Sequence, residues 1–297
     1  MSYDLFLTSS RLCPDAFAQY FSQRPNYEQP GWYVNPDTGV YFQFEFQQPE
    51  PDEGRLDENV AFSLNYFRPH TFGLEAEPEV AAFVAAFGCT IHDPQFEGMG
   101  DGPYSADGFL RGWNKGNAFG YASIAPRGGL ADVLLADKAQ IERVWRWNLG
   151  LKSLQGTVGE GHFLPRANWG KRLSNGATIV FAIWGEGVWT AFPDCVTHVL
   201  LMRKRTVSNG WFSREKKEIM EAKLISMEEV VSLEGCAWRE TGGGRLLFAP
   251  VGTQPSRQIL SLFGKQFTEP KTIVQQYGPD HVLDASLMTE VMKGQEK

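Results

Sequence analysis

The strongest constraint on the fold is a stretch of alternating apolar and polar residues at 40–47. Every second side chain there is valine or phenylalanine, so an extended chain would present one apolar face. The stretch follows another short apolar run at 32–35, and a Pro-Asp-Thr-Gly turn sequence at 36–39 separates the two. This pattern predicts a β-hairpin with one side in a core, so the chain must build at least one sheet.

The first third of the sequence alternates strand and helix signals. Apolar segments at 3–8, 60–67 and 89–92 predict strands, and Pro14 opens a helix whose aromatic residues recur at helical spacing. A second helix is predicted between the last two strands. Together with the hairpin, these elements give the order β-α-β-β-β-α-β over residues 1–95. That order predicts a mixed or antiparallel sheet with two helices packed on one face.

The second helix has the clearest amphipathic pattern in the sequence. Val80, Phe83 and Phe87 form one apolar stripe, and Gly88 is placed to end the helix. Pro78 suits the first turn of a helix, where negative charge is also favourable. Three acids surround this proline and are interpreted as N-terminal charges: Glu75, Glu77 and Glu79.

The rest of the chain predicts a second domain of different character. Residues 96–129 are rich in glycine and aromatic residues, and predict a linker with one irregular helix. Residues 130–297 predict a mostly β domain with a few helices. Within it, 178–184 and 188–192 flank a Gly-Glu-Gly sequence and predict a hairpin, and another turn is predicted at 208–210. The expected fold class is α+β.

Charge is distributed unevenly along the sequence. Residues 1–125 contain 6 Lys and Arg against 17 Asp and Glu, whereas residues 126–297 contain 22 against 18. An acidic first part repels nucleic acid and membrane surfaces and attracts basic proteins by long-range steering. The alternative interpretation is a well-solvated domain whose charge serves solubility.

Cysteine usage and apolar runs give expectations about location. The four cysteines contain no C-x-x-C pair, so neither a metal site nor a small disulfide framework is predicted, and no cofactor is expected. The first residues lack the basic region of a signal peptide. The longest apolar run, 179–184, is much shorter than the roughly 20 residues of a membrane-spanning helix. A cytoplasmic location and no membrane association are expected.

Highly specific enzyme signatures do not occur in the sequence. It contains no H-E-x-x-H, G-x-S-x-G, Walker phosphate loop or D-x-D-x-D-G calcium loop. A His-Asp acid/base pair formed by His92 and Asp93 remains open, with Glu160 or His162 added from the second half. This alternative is a hydrolase with a site between the two domains. Isolated histidines at strand ends are more often hydrogen-bonded structural residues.

The second half contains a basic cluster on either side of the turn at 208–210. It lacks the regular aromatic interleaving of nucleic-acid-binding surfaces, and cations on edge strands commonly guard against aggregation. No nucleic-acid partner is therefore expected. The cluster consists of Arg203, Lys204, Arg205, Arg214, Lys216 and Lys217.

Four tryptophans fit no predicted core face. The sequence has 9 tryptophans and 21 phenylalanines, more than one core face requires, so these four fit either a partner interface or small satellite cores. They are Trp113, Trp169, Trp189 and Trp211.

Three segments of the first third carry a resemblance to a known class of protein. They are the opening MSYDLFL, the acidic loop QPEPDEGRLDEN, and the stretch NYFRPHTFGLEAEPEVAAF that leads to TIHDPQ. Over residues 1–95 the sequence resembles bacterial immunity proteins, which neutralise toxins delivered by neighbouring cells. The resemblance implies a cytoplasmic protein without chemistry of its own, whose acidic face occludes the active site of a basic toxin. It brings no catalytic residues.

The leading hypothesis is thus an immunity protein that binds and blocks a cognate antibacterial toxin. A hydrolase is the alternative, and a scaffold protein is compatible with the same observations. The expected partner-binding residues are the acids of the loop and three residues near the end of the following strand: Glu50, Asp52, Glu53, Asp57, Glu58, Tyr66, Arg68 and His70.

Overall fold

The computed structural model describes residues 1–47, 60–128, 130–158, 161–208, 216–242, 244–249, 256–264 and 266–294. The fold is α+β, as the sequence predicted. The chain divides into two compact units. Unit 1 comprises Met1–Ile141 and Pro279–Lys297, and unit 2 comprises Glu142–Gly278.

Unit 1 is built on a seven-stranded sheet in which all neighbouring strands are antiparallel. The hairpin expected at 32–47 is present, with Tyr33 opposite Phe42. In spatial order the strands are β2 (Tyr27–Gln29), β3 (Trp32–Val34), β4 (Tyr41–Phe46), β5 (Val60–Asn65), β1 (Ser2–Thr8), β6 (Thr90–His92) and β7 (Asp101–Gly102).

Helices cover one side of this sheet and form the main core with it. They are α1 (Pro14–Ser22), α2 (Thr71–Phe87) and α3 (Ala106–Ile124). The core is aromatic: the ring centroid of Phe83 on α2 lies 4.9 Å from that of Phe44 and 5.7 Å from that of Phe21 on α1. Phe109 and Trp113 of α3 are fully buried in the same cluster. The two predicted helices are confirmed on one face, and α3 joins them.

The predicted start of α2 is wrong. The helix begins at Thr71, so Pro78 lies inside it and the first turn contains no acid. Proline at this position removes one helical hydrogen bond, but Phe72 and Ala76, both fully buried, fix the first turns in the core. The predicted end is confirmed, because Gly88 has φ of +62° and donates its N–H to the Val84 carbonyl at 2.7 Å.

The glycines predicted to form a linker lie largely in α3, which is a continuous 19-residue helix. Gly108, Gly112, Gly116 and Gly120 recur every four residues and therefore share one face of the helix. A Cβ atom on Gly112 would lie 2.6 Å from the hydroxyl oxygen of Tyr3. The glycines thus permit close packing of α3, a role that local composition does not distinguish from flexibility.

The end of the chain belongs to unit 1, although the sequence placed 130–297 in one domain. Strand β17 (Val282–Asp284) pairs in parallel with β8 (Leu134–Ala136), and α7 (Ala285–Gly294) follows. The backbone N–H of Asp284 also donates to the Tyr121 hydroxyl on α3 at 3.2 Å. These long-range contacts, rather than local composition, set the boundaries of unit 1 at Ile141 and Pro279.

Unit 2 contains a mixed five-stranded sheet and a three-stranded antiparallel sheet. The first has the order β13 (Lys216–Ser226), β12 (His198–Ser208), β10 (Thr178–Gly185), β9 (Asn168–Arg172) and β16 (Val274–Tyr277), and β10 and β12 are parallel. The second has the order β11 (Thr190–Pro193), β15 (Gly244–Ala249) and β14 (Ala237–Thr241). The described helices that lie wholly in this unit are α5 (Met227–Val231) and α6 (Arg257–Leu262); α4 (Lys138–Gln155) begins in unit 1 and extends into it.

The hairpin predicted from 178–184 and 188–192 is wrong. Both edges of β10 are occupied, by β9 and β12, whereas β11 pairs with β15 in the other sheet. The indole N–H of Trp184 donates to the Val188 carbonyl at 2.7 Å, which fixes the connection locally. Strands β12 and β13 pair along their whole length, and Asn209 and Gly210 of the predicted turn lie outside the described residues.

Candidate protein-binding face

The side of the seven-stranded sheet opposite α1, α2 and α3 carries mainly polar side chains, and we call it the open face. Its side chains alternate along each strand with those of the core and are half-buried or exposed. The open face includes Ser2, Asp4, Phe6, Glu28, Trp32, Gln43, Glu45, Ala61, Ser63, Asn65, His92 and Asp101.

The open face is acidic. The seven strands contain no Lys or Arg, and their four acids are Asp4, Glu28, Glu45 and Asp101. The chain segments that make up unit 1 contain 10 Lys and Arg against 23 Asp and Glu, and those of unit 2 contain 18 against 12. The negative charge of the protein is thus concentrated in unit 1, and its strands present no cation.

Strand pairing arranges these side chains in rows across the sheet. Neighbouring strands are about 4.8 Å apart, so a row that crosses five strands is about 19 Å long. Backbone hydrogen bonds on both sides of the inner strands hold the rows in register. One row contains Trp32, Gln43, Ser63 and Asp4, and the next contains Glu45, Ala61, Phe6, His92 and Asp101.

Two of the acids are fixed by side-chain contacts. The Asp4 carboxylate accepts hydrogen bonds from the hydroxyls of Ser63 at 2.7 Å and Ser2 at 3.0 Å. Asp101 contacts Nδ1 of His92 at 2.5 Å, and both side chains are substantially exposed. Preformed carboxylates lower the ordering cost of binding a cationic group.

His92 and Asp93 do not form the predicted acid/base pair. The partner of His92 is Asp101, whereas Asp93 is fully buried and accepts hydrogen bonds from the Tyr3 hydroxyl at 3.0 Å and the Met99 N–H at 3.1 Å. Burial, and then the charge of Asp93, raise the pKa of Tyr3 far above its ordinary value. Asp93 is therefore a structural acceptor at the end of β6, since successive residues of a strand point to opposite faces.

The other two residues of the hydrolase hypothesis are His162 and Glu160. The ring of His162, in unit 2, packs edge-on against Phe248 with centroids 5.0 Å apart. Glu160 lies outside the described residues. Groups of three or more potential metal-ligating side chains do not occur among the residues that the structure describes.

In the sequence, five of the predicted partner-binding residues precede β5 and three follow it. The five acids Glu50, Asp52, Glu53, Asp57 and Glu58 lie outside the described residues. Strand β4 ends at Phe46, before these acids in the sequence, and β5 begins at Val60, after them. Phe46 and Val60 pair with each other, next to the row that contains Glu45. The opposite end of β5, at Asn65, is about 17 Å away.

The segment Tyr66–His70 forms a strained corner at that opposite end. Phe67 has φ of +61°, a conformation that is costly for a bulky side chain. The Asn117 carboxamide on α3 compensates, since its oxygen accepts the N–H groups of Phe67 at 2.7 Å and Arg68 at 3.2 Å. Its nitrogen donates to the Arg68 carbonyl at 2.9 Å. The corner is therefore specified by α3.

The three predicted residues of the corner have defined contacts. The Arg68 guanidinium donates to the Tyr41 hydroxyl from Nη2 at 2.6 Å and from Nε at 3.0 Å. Tyr66 packs on α3, where a Cβ on Gly116 would lie 2.1 Å from its hydroxyl oxygen. His70 is half-buried and immediately precedes α2. Tyr66 thus has a packing role, and Arg68 fixes the start of the inner strand β4.

Two of the four tryptophans proposed for an interface are core residues. Trp113 is 0% exposed and Trp169 2% exposed, so the packing alternative is correct for both. Trp189 is partly exposed, and Trp211 lies outside the described residues. The tryptophan on the open face is Trp32, which belongs to the predicted hairpin.

Three residues of the basic cluster of unit 2 form ion pairs within their own hairpin. Arg203 donates to Glu221 at 2.8 and 3.0 Å, Arg205 lies 3.3 Å from the same carboxylate, and Lys204 lies 3.3 Å from Glu218. Arg203 and Arg205 lower the pKa of Glu221. Arg214 lies outside the described residues. For Arg203, Lys204 and Arg205, the clustering reflects cross-strand pairing of opposite charges.

Sequence reasoning missed the open face as a site. The alternation at 40–47 carried the signal, because the residues between the phenylalanines include Gln43 and Glu45. Which other residues join them depends on strand order and register. That β1 brings Asp4 opposite Ser63 is not encoded in any short motif.

Comparison with known proteins adds no assignment to this geometry. The chain matches no protein-family model, no curated protein and no solved structure. In the part of the chain that the structure describes, no helix has both the length and the apolarity needed to cross a bilayer.

Proposed function

We propose that this protein binds a basic protein partner through the open face of unit 1, and that it acts as an immunity-type inhibitor of a toxin. The observation that carries the proposal is the combination of a seven-stranded sheet face with four acids and no Lys or Arg in its strands. The inhibitor would act by covering the cationic active site of its partner.

Aromatic side chains beside the acids favour a protein as the partner. Trp32 lies in the same row as Asp4, and Phe6 lies in the same row as Glu45. Energetically dominant interface residues are enriched in tryptophan and other large anchors surrounded by polar groups. Acids alone would suit a small cation, whereas two aromatic anchors three strand spacings apart, about 14 Å across the sheet, suit a protein surface.

The charge of unit 1 supports rapid recognition. Long-range attraction between an acidic and a basic protein raises the association rate by about 10- to 1000-fold at low ionic strength. An inhibitor that must reach a toxin before the toxin reaches its target gains from a fast association more than from a slow dissociation alone.

The first experiment is an affinity purification from source cells that also express the product of the adjacent gene. We expect one basic protein to co-purify in a salt-sensitive complex and to lose its toxicity when bound. Absence of any stoichiometric partner at all salt concentrations would refute the inhibitor function.

A charge-reversal pair then locates the interface. The variant Glu28→Lys/Glu45→Lys reverses two exposed acids of the open face, and Asp132→Lys/Glu290→Lys reverses two exposed acids of unit 1 outside the sheet. Both variants change net charge equally. We expect the first to slow association about tenfold or more and the second to slow it much less. Equal effects would show that only overall charge matters and that the interface lies elsewhere.

The aromatic anchor and the acidic loop provide two further variants. Trp32→Ala should weaken the complex by about 2 kcal/mol or more, mainly by faster dissociation.

Reversal of Glu50, Asp52 and Glu53 to lysine tests whether the acids between β4 and β5 extend the interface beyond Glu45. Unchanged affinity in this triple variant would confine the interface to the strands of the seven-stranded sheet.

A further inference from the structure

Three arginines line one cavity of unit 2, which we call the arginine cavity. It has a volume of about 180 Å³. Arg143 and Arg146 come from α4, and Arg245 comes from the start of β15. Guanidinium groups repel one another, so their convergence in one cavity favours an anion between them. The other lining residues also belong to unit 2 and are Trp147, Leu154, Pro193, Asp194, Cys195, Gly244 and Leu246.

Helix periodicity and strand pairing bring these arginines together. Arg143 lies three residues before Arg146 on α4, so the two share one face of the helix. Pro193 at the end of β11 pairs with Leu246 of β15. The arginine of β15, Arg245, directly precedes that pair. Guanidinium groups from two elements that are distant in the sequence therefore line the same cavity.

The charges of the lining do not cancel. It contains three Arg against one Asp, a formal charge of +2. Arg146 pairs with Glu142 at 3.0 Å, and the Arg146 side chain is 68% exposed. Arg245 lies 3.8 Å from Glu240 and is 55% exposed. Both acids are outside the lining. Arg143 is exposed and forms no hydrogen bond or ion pair with the part of the chain that the structure describes.

The single acid of the lining, Asp194, leaves the arginine donors available. It forms no ion pair with any residue in the described ranges. Burial, and then the charge of Asp194, raise the pKa of Cys195 to about 12, whereas the charge of Arg143 lowers it. Asp194 and Arg143 therefore both lie close to this thiol. The carboxylate reduces the positive charge of the cavity without accepting a hydrogen bond from its arginines.

The charge of the cavity suits a phosphate group better than a carboxylate. A phosphate monoester has a charge of about −1.5 to −2 at pH 7 and three strong acceptor oxygens. A carboxylate has a single charge and two oxygens, too few to engage three guanidinium groups fully. Each planar guanidinium can bind a phosphate through two parallel hydrogen bonds. Three such groups therefore match the oxygens of one phosphate.

The apolar part of the lining limits the size of the ligand and strengthens its binding. Trp147 is 6% exposed and Leu246 2% exposed. The indole N–H of Trp147 already donates to the Pro165 carbonyl at 2.9 Å, so this ring is an apolar wall. A wall that excludes water increases the attraction between unlike charges. The volume is below the roughly 300 Å³ at which sites for drug-sized ligands begin, which suits a small molecule.

We propose that the arginine cavity binds a phosphate group, either as free phosphate or as the phosphate of a small monoester. The phosphate oxygens accept hydrogen bonds from Arg143, Arg146 and Arg245, and the organic part of an ester packs on Trp147 and Leu246. This site is in unit 2 and does not depend on the partner proposed for the open face.

Isothermal titration calorimetry of the full-length protein with phenyl phosphate and with inorganic phosphate tests the proposal. At low ionic strength we expect one saturable site per chain. Benzoate has the same ring with a carboxylate and should bind about tenfold more weakly than phenyl phosphate, or worse. Tighter binding of phenyl phosphate than of inorganic phosphate would identify an ester as the ligand, and equal or weaker binding would identify free phosphate. Absence of saturation, or equal binding of benzoate and phenyl phosphate, would overturn the proposal.

A matched pair of variants places the ligand. Arg143→Gln removes one guanidinium from the lining and should reduce phosphate affinity by about tenfold or more. Arg257→Gln changes net charge equally, and Arg257 is exposed at the start of α6 and outside the lining. We expect this control to change affinity by less than about twofold. Equal losses in the two variants would show that only the overall charge of unit 2 matters, and would reject the cavity as the site.

Two more variants separate binding from damage to the fold. Arg143→Lys keeps the positive charge but loses the planar fork, so its affinity should lie between those of the wild type and Arg143→Gln. Asp194→Asn removes the carboxylate of the lining and should raise phosphate affinity by about threefold, a gain that misfolding cannot produce. A loss of affinity in Asp194→Asn would contradict the charge balance from which the ligand was inferred.

Discussion

At the scale of single residues, Glu75 illustrates how a side chain holds distant segments together. Its Oε1 atom accepts hydrogen bonds from the Tyr33 hydroxyl at 2.8 Å, the Asn35 amide at 2.8 Å and the Thr38 hydroxyl at 2.9 Å. Glu75 is 4% exposed. One carboxylate on α2 therefore fixes both the strand β3 and the turn that follows it.

Replacement of Glu75 should reveal this role. Glu75→Ala leaves three buried donors without their acceptor and should lower the free energy of unfolding by about 3–5 kcal/mol. Glu75→Gln retains an oxygen acceptor and should cost about 1 kcal/mol. Urea unfolding followed by tryptophan fluorescence measures both values. Equal losses in the two variants would contradict an acceptor role and point to a requirement for the negative charge.

We expect His198 to make the stability of unit 2 depend on pH. Burial, and then the nearby charge of Arg172, lower the pKa of His198 below its ordinary value of about 6.5. The unfolded chain therefore binds a proton more readily than the folded chain, and stability rises with pH through this region. The contribution of neutral His198 is present above about pH 6.5 and is lost as the pH falls.

The variant His198→Gln tests this sign. We expect the wild-type free energy of unfolding to decrease between about pH 7.5 and pH 5.5, and the decrease to be smaller in the variant. Denaturant unfolding at several pH values gives both slopes. His281→Gln is the control, because His281 is exposed and lies beside Asp280. A steeper slope in His198→Gln than in the wild type would show that the sign is reversed.

At the scale of elements, α3 shows why glycine content is ambiguous. A Cβ on Gly112 would lie 2.6 Å from the Tyr3 hydroxyl and 3.1 Å from Cα of Gly98, and both neighbours are held in place. Gly150, in the interior of α4, has no neighbour closer than 3.6 Å to such an atom. The two helical glycines differ only in what faces them.

Alanine substitution should therefore have opposite effects in the two helices. Gly112→Ala should destabilise the protein by about 1–3 kcal/mol through overpacking. Gly150→Ala should stabilise it by about 0.5–1 kcal/mol, since alanine favours the helix and restricts the unfolded chain. Chemical denaturation measures both. Stabilisation by Gly112→Ala would mean that α3 does not pack closely against β1.

The elements that the sequence predicted correctly are those with a local cause. Alternation at 40–47 and the adjacent turn specify the β3–β4 hairpin, and the apolar stripe before Gly88 specifies most of α2. The errors have distant causes. Glu75 resembles an N-terminal helix charge until the donors at Tyr33, Asn35 and Thr38 are known.

The candidate sites required still more distant information. The Gly-Glu-Gly sequence after β10 resembles a hairpin turn, but β9 and β12 occupy both edges of that strand. Likewise, the open face exists because β1 lies between β5 and β6, which brings Asp4 and Phe6 beside residues far away in the sequence. Periodicity predicts which residues of one strand lie on each of its two faces. Strand order and register decide which residues of different strands share a face of the sheet.

At the scale of the whole molecule, the separation of charge between the units has two opposite consequences for salt dependence. Unit 1 has 23 acidic against 10 basic residues, so like charges repel within it and salt should stabilise its fold. Binding of a basic partner depends on attraction between unlike charges, so salt should slow association. Folding and binding are thus expected to respond to salt with opposite signs.

Raising the salt concentration from about 20 mM to about 300 mM reduces the screening length from about 20 Å to about 6 Å, which is less than the length of the open face. Over this range we expect the unfolding free energy of the protein to increase and the association rate with the partner to fall by about tenfold or more. The Glu28→Lys/Glu45→Lys variant should weaken both trends, because it removes repulsion within unit 1 and attraction at the open face together. Asp132→Lys/Glu290→Lys should weaken the folding trend similarly and the association trend much less. An association rate that is independent of salt in the wild type would place the partner away from the acidic unit, whatever its effect on stability.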